Sequence, residues 1–498
     1  MLRTCRERLT LVLLGLLPFH AFLVTVLTKM IAGPGRAPLP WLAVWKELLL
    51  MAIVGCGVGE ILTYHAGLRP RRDYESRLRE IFRMDALDGI ILGLIAIAIV
   101  LFAFGYPAST GRFAYGFKYD FVPLVAFLIL RRVEWSDGFR ATVLRVLLIV
   151  GAIVAAYGIL TLFLPLGFFT TLGYSGAHSL YEAGKPLAAY HQIGESVIRR
   201  IQSTMSGPNQ LGLWLLVPLA VALASLRRFA NCDLRLAIQI AIRKSPIAIL
   251  LMVALLLSFS RSAWIGAFFM VLVALAWAFD RKTYVRIIAS LVALGVVGGI
   301  VASLALPQVF FRLSSSRGHL VRPIEGFMTM LAHPLGLGLG SAGPATNRDS
   351  ETCVFLRSQD DPSWAKSTPS LCVFLGDTQV QPADHACNCP FLPENWYVQI
   401  GVELGILGFA LYLSLVLVLV KRLAFSDKRL EEEKKLVARS AKGFEAAIFL
   451  AFIGVSTGAM FLHAWEDAAV AYTLWVLVAT ILPVLKGAAA ASPSSRSQ

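Results

Sequence analysis

Residues 246–279 read PIAILLMVALLLSFSRSAWIGAFFMVLVALAWAF, with a single charge, Arg261, near the middle. As one helix the stretch would extend about 51 Å, well past a hydrocarbon core of about 30 Å. It therefore reads as two spans meeting near SFSRSA, with Arg261 at or just below one membrane face. An arginine in that place either snorkels to lipid phosphate or stands as a fixed cation facing a cavity.

Similar apolar runs recur along the chain. Of its 498 residues, 57% are hydrophobic and 15% charged, against roughly a quarter charged in soluble domains. Only helices or a closed barrel satisfy the backbone in lipid, and these runs are too long for barrel strands. The sequence predicts an all-α polytopic membrane protein of about 12 transmembrane helices. The spans fall near 9–31, 43–63, 86–105, 115–130, 141–164, 209–226, 245–260, 262–279, 285–306, 397–420, 444–463 and 467–485. Residues 1–306 thus hold nine spans, with a loop at 166–208. Residues 307–396 form a large loop between the ninth and tenth spans, and 397–485 hold the last three. The low-complexity tail, 486–498, is expected to be disordered.

The net charge of +15 is explained by topology. With the amino terminus inside, Arg3/Arg6/Arg8, 69–83, Arg131/Arg132/Arg140, 227–244, 280–286 and 421–442 all fall on one side. This is the positive-inside pattern; it puts both termini in the cytoplasm and gives no reason to expect a nucleic-acid partner. Four of the seven cysteines, Cys353, Cys372, Cys387 and Cys389, lie in the large outer loop. Their clustering predicts two disulfides, with three connectivities open. Pairing Cys387 with Cys389 is disfavoured because so tight a loop strains the bridge. A zinc site at DHACNC (384–389) lacks paired ligand spacing.

Polar residues on the outer side then need a reason. IRRIQSTMSGPNQLG (198–212) puts Arg199 and Arg200 on the face that topology leaves poor in arginine, and Pro208–Asn209 opens a span. The large loop begins with Arg312, Arg317, His319 and Arg322. With Arg261 these form a set of arginines, whose planar forks suit a diphosphate carried on a lipid tail. His319, between two arginines, is a structural residue or a base. Glu394, beside Asn395 and Trp396 at the mouth of the tenth span, is either a helix-end charge or a general base. Glu403, deeper in that span, needs a partner, for which an arginine is the expectation.

RRIQSTMSGPNQLG, LSFSRSAWIG, RGHLVRPIEGFMTMLAHPLGLGLGSAG and ENWYVQIGVELGILG, in this order and spacing over about residues 198–420, resemble the O-antigen ligase/polymerase superfamily of bacterial membrane glycosyltransferases. The resemblance implies a GT-C-like enzyme in the bacterial cytoplasmic (inner) membrane. It would transfer a glycan from undecaprenyl diphosphate at the outer face, without metal or other cofactor. Arg200 and Arg261 would hold the diphosphate, with Arg317 and Arg199 beside them and Asn209, His319 and Asn395 in support. Arg261 would stabilise charge on the leaving group, and Glu394 would take the acceptor proton. Ligases of the superfamily carry His where Glu394 stands, which favours a polymerase of repeat units over a ligase. Implied partners are the lipid-linked glycan, membrane lipid and a chain-length regulator. A reading of another class, a transporter or flippase of an anionic lipid-linked substrate, would need charges deep among the spans. Lys46, Lys118, Asp120 and Arg145 are among the charges in or near the first five.

Overall fold

The computed structural model describes residues 1–66, 83–106, 109–176, 185–193, 198–224, 246–305, 313–348, 350–356, 361–367, 371–376, 378–433 and 439–484. It is mostly helical. In chain order the helices are α1 (Leu2–Ala32), α2 (Pro40–Thr63), α3 (Ala86–Ala103), α4 (Thr110–Leu130), α5 (Asp137–Leu160), α6 (Pro208–Ala224), α7 (Pro246–Leu257), α8 (Arg261–Trp277) and α9 (Arg281–Val301). A less apolar helix, α10 (Leu313–Ala332), follows. The last three are α11 (Trp396–Ala424), α12 (Gly443–Gly458) and α13 (Ala468–Ile481). Seven of them (α1–α5, α9 and α11) are long and apolar enough to cross a membrane, which fits a polytopic membrane protein. Each apolar stretch read from the sequence falls on one of these helices, and 246–279 divides at its serines as its length requires. The basic stretches 69–82 and 227–244, and the tail, lie outside the described residues.

Between helices in lipid the hydrophobic effect gives little, so close packing and polar contacts decide how they associate. The packing is tight where α6, α8 and α12 meet. A Cβ built on Gly266 of α8 would stand 2.4 Å from the Gly454 carbonyl oxygen of α12, so the two backbones touch. α9 is the exception, since no part of its apolar window is buried in the bundle. The largest buried side chains include Trp214, Trp396, Trp465 and Phe452, which fill the space among α6, α11, α12 and α13.

Ion pairs fasten the bundle at the end where α3 begins. Asp85 caps α3, accepting from the Leu87 and Asp88 amides at 2.9 and 3.1 Å. The Asp88 carboxylate returns the bond to the Asp85 amide at 3.1 Å. Arg131, only 1% exposed, donates to both carboxylates at 2.7 and 3.2 Å and to the Leu482 carbonyl. Arg132 and Arg422 reach the same pair of aspartates. Arg6 is likewise buried, on Glu60 at 2.7 Å and over the Trp135 ring at 4.0 Å. Several of the basic residues that the topology rule groups on one side are therefore also interhelical ties.

At the other end, the chain between α10 and α11 folds into a lobe. Strands β3 (Cys353–Leu356), β4 (Cys372–Leu375) and β5 (Thr378–Gln381) form one sheet, parallel between β3 and β4 and antiparallel between β4 and β5. The four cysteines pair as Cys353–Cys389 and Cys372–Cys387, so both bridges join the sheet to the irregular chain that follows it. The earlier strands, β1 (His191–Gln192) and β2 (Arg199–Arg200), form a short hairpin in the 166–208 loop.

α11 is kinked. Gly405 has φ 72°, and a Cβ there would strike the Pro334 carbonyl oxygen at 2.2 Å. The glycine-rich turn 336–343 crosses the helix at this point. The Leu337 and Gly338 amides donate to the Val402 and Glu403 carbonyls, and the Ile406 amide to Pro334, at 2.8, 2.9 and 3.0 Å.

Candidate functional site

The segments singled out in the sequence come together at one end of the bundle. Arg200 on β2 donates from Nε to the Ser258 carbonyl at 3.0 Å and from Nη2 to Asn209 Oδ1 at 2.8 Å. The Ile201 amide adds a bond to the Leu257 carbonyl at 3.2 Å. The hairpin is thus tied both to the start of α6 and to the turn that precedes Arg261. Asn209 serves here as an acceptor for Arg200. Arg261 is exposed at the first position of α8, between the buried Ser260 and Ser262.

Arg199 and Arg200 diverge, as neighbours on a strand must. Arg199 lies over the Tyr190 ring at 4.3 Å and donates to the Leu164 carbonyl at 3.0 Å. Both arginines border a shallow cleft with Tyr157, Tyr174 and Tyr190. Arg200 thus faces the α6–α8 junction and Arg199 the aromatic loop.

Glu394 sits just before α11 and forms an ion pair with Arg322 of α10. Gly326, one turn on from Arg322, packs against Pro393 and Val398, which sets α10 across the mouth of α11. Asn395 caps α11, accepting from the Val398 amide at 3.1 Å, and donates to the Met460 carbonyl at 2.9 Å. The Trp396 amide donates to the Ala459 carbonyl at 2.9 Å. Gly458, immediately before that turn, packs on Leu213 of α6 and on Ser262 of α8. The segment 458–460 thus touches Leu213 and Ser262, which follow Asn209 and Arg261 in sequence, and also Asn395 and Trp396, which follow Glu394.

A second feature joins the three segments. Among the described residues, the non-glycine residues with positive φ are Ser203, Phe259 and Glu394, at 53°, 51° and 53°. One lies in each segment, beside Arg200, Arg261 and Asn395. Left-handed backbone at such residues is strained and gathers at binding and catalytic sites.

The other expected participants are placed as follows. Arg312 lies outside the described residues. Arg317 and His319 belong to α10, with side chains outside the described set, so Arg322 is the arginine of that helix seen at the site. His385 lies in the disulfide-bonded lobe, with Glu351 at 2.8 Å and Asp384 at 2.9 Å. These two carboxylates, Glu351 first, hold its imidazole above the ordinary 6.5.

Polar residues that sequence reasoning did not gather lie just below. Gln399 donates to Glu466 Oε1 at 2.6 Å and meets His463 Nδ1 at 2.6 Å. Glu403 does not meet an arginine, contrary to expectation. Its Oε1 accepts from the Gly340 amide at 2.8 Å, and Gly340 lies against Gly116 of α4, one turn before Asp120. Asn395, Gln399 and Glu403 repeat at intervals of four, one polar stripe on one helix face, and that spacing was the available signal. Lys46 and Lys118 both pair with Glu47, at 3.1 and 2.9 Å.

The arrangement offers arginine donors, a carboxylate and an amide around one turn at the end of an apolar bundle. Such a set can bind an anionic head group while the apolar flank accommodates a lipid tail. No family model and no curated protein matches this chain.

Proposed function

We propose that the protein is a membrane glycosyltransferase that polymerises oligosaccharide repeat units carried on undecaprenyl diphosphate, acting where the lipid diphosphate meets water. What supports this reading is the turn 458–460, which packs on Leu213 and Ser262, neighbours of Asn209 and Arg261 in sequence, and holds Asn395 and Trp396, next to Glu394. In this reading all twelve apolar helices cross the bacterial cytoplasmic membrane, with both termini inside and the disulfide lobe outside.

Arg261 and Arg200 bind the diphosphate of the donor. Its negative charge draws Arg322 from Glu394 and leaves that carboxylate to act as base. The acceptor hydroxyl oxygen attacks the anomeric carbon while the bond from that carbon to the phosphate oxygen breaks. The electron pair leaves with undecaprenyl diphosphate, where the arginines stabilise it, and the hydroxyl proton passes to Glu394. Transfer of a finished glycan to another acceptor would use the same groups.

A transporter of an anionic lipid-linked substrate is the second reading. It is favoured by the acids buried among the helices, Asp120, Glu403 and Glu466, since such residues mark ion or proton routes in transporters.

The test is a deletion strain complemented with wild type, Arg261→Ala, Glu394→Gln or Glu394→His, each checked for membrane level. Lipid-linked glycans are then followed by gel. Accumulated single repeats with Arg261→Ala support polymerisation, and long unattached chains support ligation. Glycan that stays on the inner leaflet supports transport, and unchanged glycan throughout refutes all three.

A further inference from the structure

Asp120 stands in a π-helical turn, Phe117–Phe121, of α4; such turns recur at functional sites. It is 4% exposed and Glu403 is fully buried. Neither Asp120 oxygen accepts from an N–H or O–H group, and Glu403 Oε2 has no such donor either. Backbone packing brings the two acids together: Gly116, one turn before Asp120 on α4, lies against Gly340, whose amide donates to Glu403 Oε1 at 2.8 Å. The groups around them are Glu466 between α12 and α13, which adds a third carboxyl, and Tyr412 of α11. Among the described residues, no arginine, lysine or histidine forms an ion pair with Asp120, Glu403 or Glu466. Lys46 and Lys118 are engaged by Glu47.

Two carboxyl oxygens cannot meet in an apolar interior unless something positive lies between them. A multivalent metal is disfavoured by the donor set: the carboxyls of Asp120, Glu403 and Glu466 do not converge as a three-ligand group, and the one such group among the described residues lies in the lobe. A proton needs only two oxygens. We propose that Asp120 and Glu403 are a proton-binding site, holding one proton between them and so bridging α4 to the glycine-rich turn beneath Glu394.

The bridge reaches the candidate site by contacts already described. Glu403 Oε1 holds the Gly340 amide, and the turn it anchors continues from α10, which carries Arg322. The site also lies at the foot of the Asn395–Gln399–Glu403 stripe, so bound proton and candidate site are on one helix face. This inference does not depend on whether the protein transfers or transports glycan.

The test is infrared spectroscopy of the purified protein in lipid nanodiscs, reading the carbonyl stretch of protonated carboxyl groups and its shift in heavy water. Spectra of Asp120→Asn, Glu403→Gln and the double variant are subtracted from wild type. An amide can donate to the remaining carboxylate, so a single variant needs no proton at the pair. The expected result is loss of one protonated-carboxyl equivalent in each single variant and no further loss in the double. If the singles each remove one equivalent and the double removes two, the acids are protonated separately and the sharing is wrong. If wild type loses the band when sodium chloride replaces choline chloride, a metal ion fills the gap and the proposal is overturned. Absence of the band in wild type overturns it as well, and that arm needs no variant to fold.

Discussion

Replacing Gly266 with alanine tests whether the contact of α8 with α12 holds the candidate site together. The added Cβ would lie 2.4 Å from the Gly454 carbonyl oxygen and 3.0 Å from Leu216. Ordinary contact begins at 3.4 Å, so the helices must separate by 3.4 − 2.4 = 1.0 Å, or bend. Forcing a methyl into a packed interior costs about 1–3 kcal/mol. Alanine recovers about 0.8–1 kcal/mol through helix propensity, so the net loss is about 0–2 kcal/mol. Gly454→Ala is the control, because its methyl would meet nothing closer than Met270 Sδ at 3.4 Å and should be neutral or stabilising. The assay is thermal denaturation of both variants in the same detergent, paired with glycan assembly in cells. Gly266→Ala should melt lower than Gly454→Ala by about 1–3 kcal/mol. It should also impair assembly, because Ser262 sits one residue from Arg261 and rests on Gly458. Equal stability of the two variants would refute the packing argument. Equal stability with full activity would also remove the α8–α12 contact from the account of the site.

Three further outcomes follow from contacts described above. Arg131→Ala leaves Asp85 and Asp88 with only Arg132 and Arg422, and should destabilise by about 3–5 kcal/mol, read as lost thermal stability. A smaller loss would show that the remaining arginines compensate. Arg200→Lys keeps the charge but cannot satisfy both Ser258 and Asn209 with the planar fork. It should cost about 0.5–1.5 kcal/mol and lower transfer activity more than membrane level, whereas full activity would remove Arg200 from the site. In the lobe, the His385 value is raised, so its stabilising contribution is complete below 6.5 and is lost as pH rises through the folded value. Glu351 and Asp384 have depressed values, so theirs is present above the ordinary carboxylate range and lost as pH falls through those values. The Asn388 amide donates to Glu351 Oε2 at 2.8 Å, so its hydrogen exchange, corrected for intrinsic rate, should be slowest between these limits, and a flat profile would refute the coupling of His385 to these carboxylates.

The helices were legible because an apolar run of about twenty residues has few fates, and the break at Ser258–Ser260 follows from length alone. The segments around Arg200, Arg261 and Glu394 were legible as polar interruptions in an apolar chain. What joins them was not, because the turn 458–460 carries no charge and is distant in sequence. The sequence set Arg199 beside Arg200, but strand geometry points neighbours to opposite faces. The stripe Asn395–Gln399–Glu403 could be read as a helix face, whereas its partner Asp120 comes from a helix some 280 residues earlier, beyond any local pattern. Cysteine spacing left three connectivities, and the choice depends on the register that sets Cys353 beside Cys372.

The two bridges of the lobe also make it a marker of sidedness. Cys353–Cys389 and Cys372–Cys387 each close a loop of chain lying between α10 and α11, so both form only where thiols are oxidised. Oxidised cysteines in protein taken from intact cells would fix the compartment of residues 353–389. Because α11 leads directly out of that segment, they would also fix the direction in which α11 enters the membrane. The orientation of the whole bundle is thus written in four sulfur atoms, and a non-reducing gel suffices to read it.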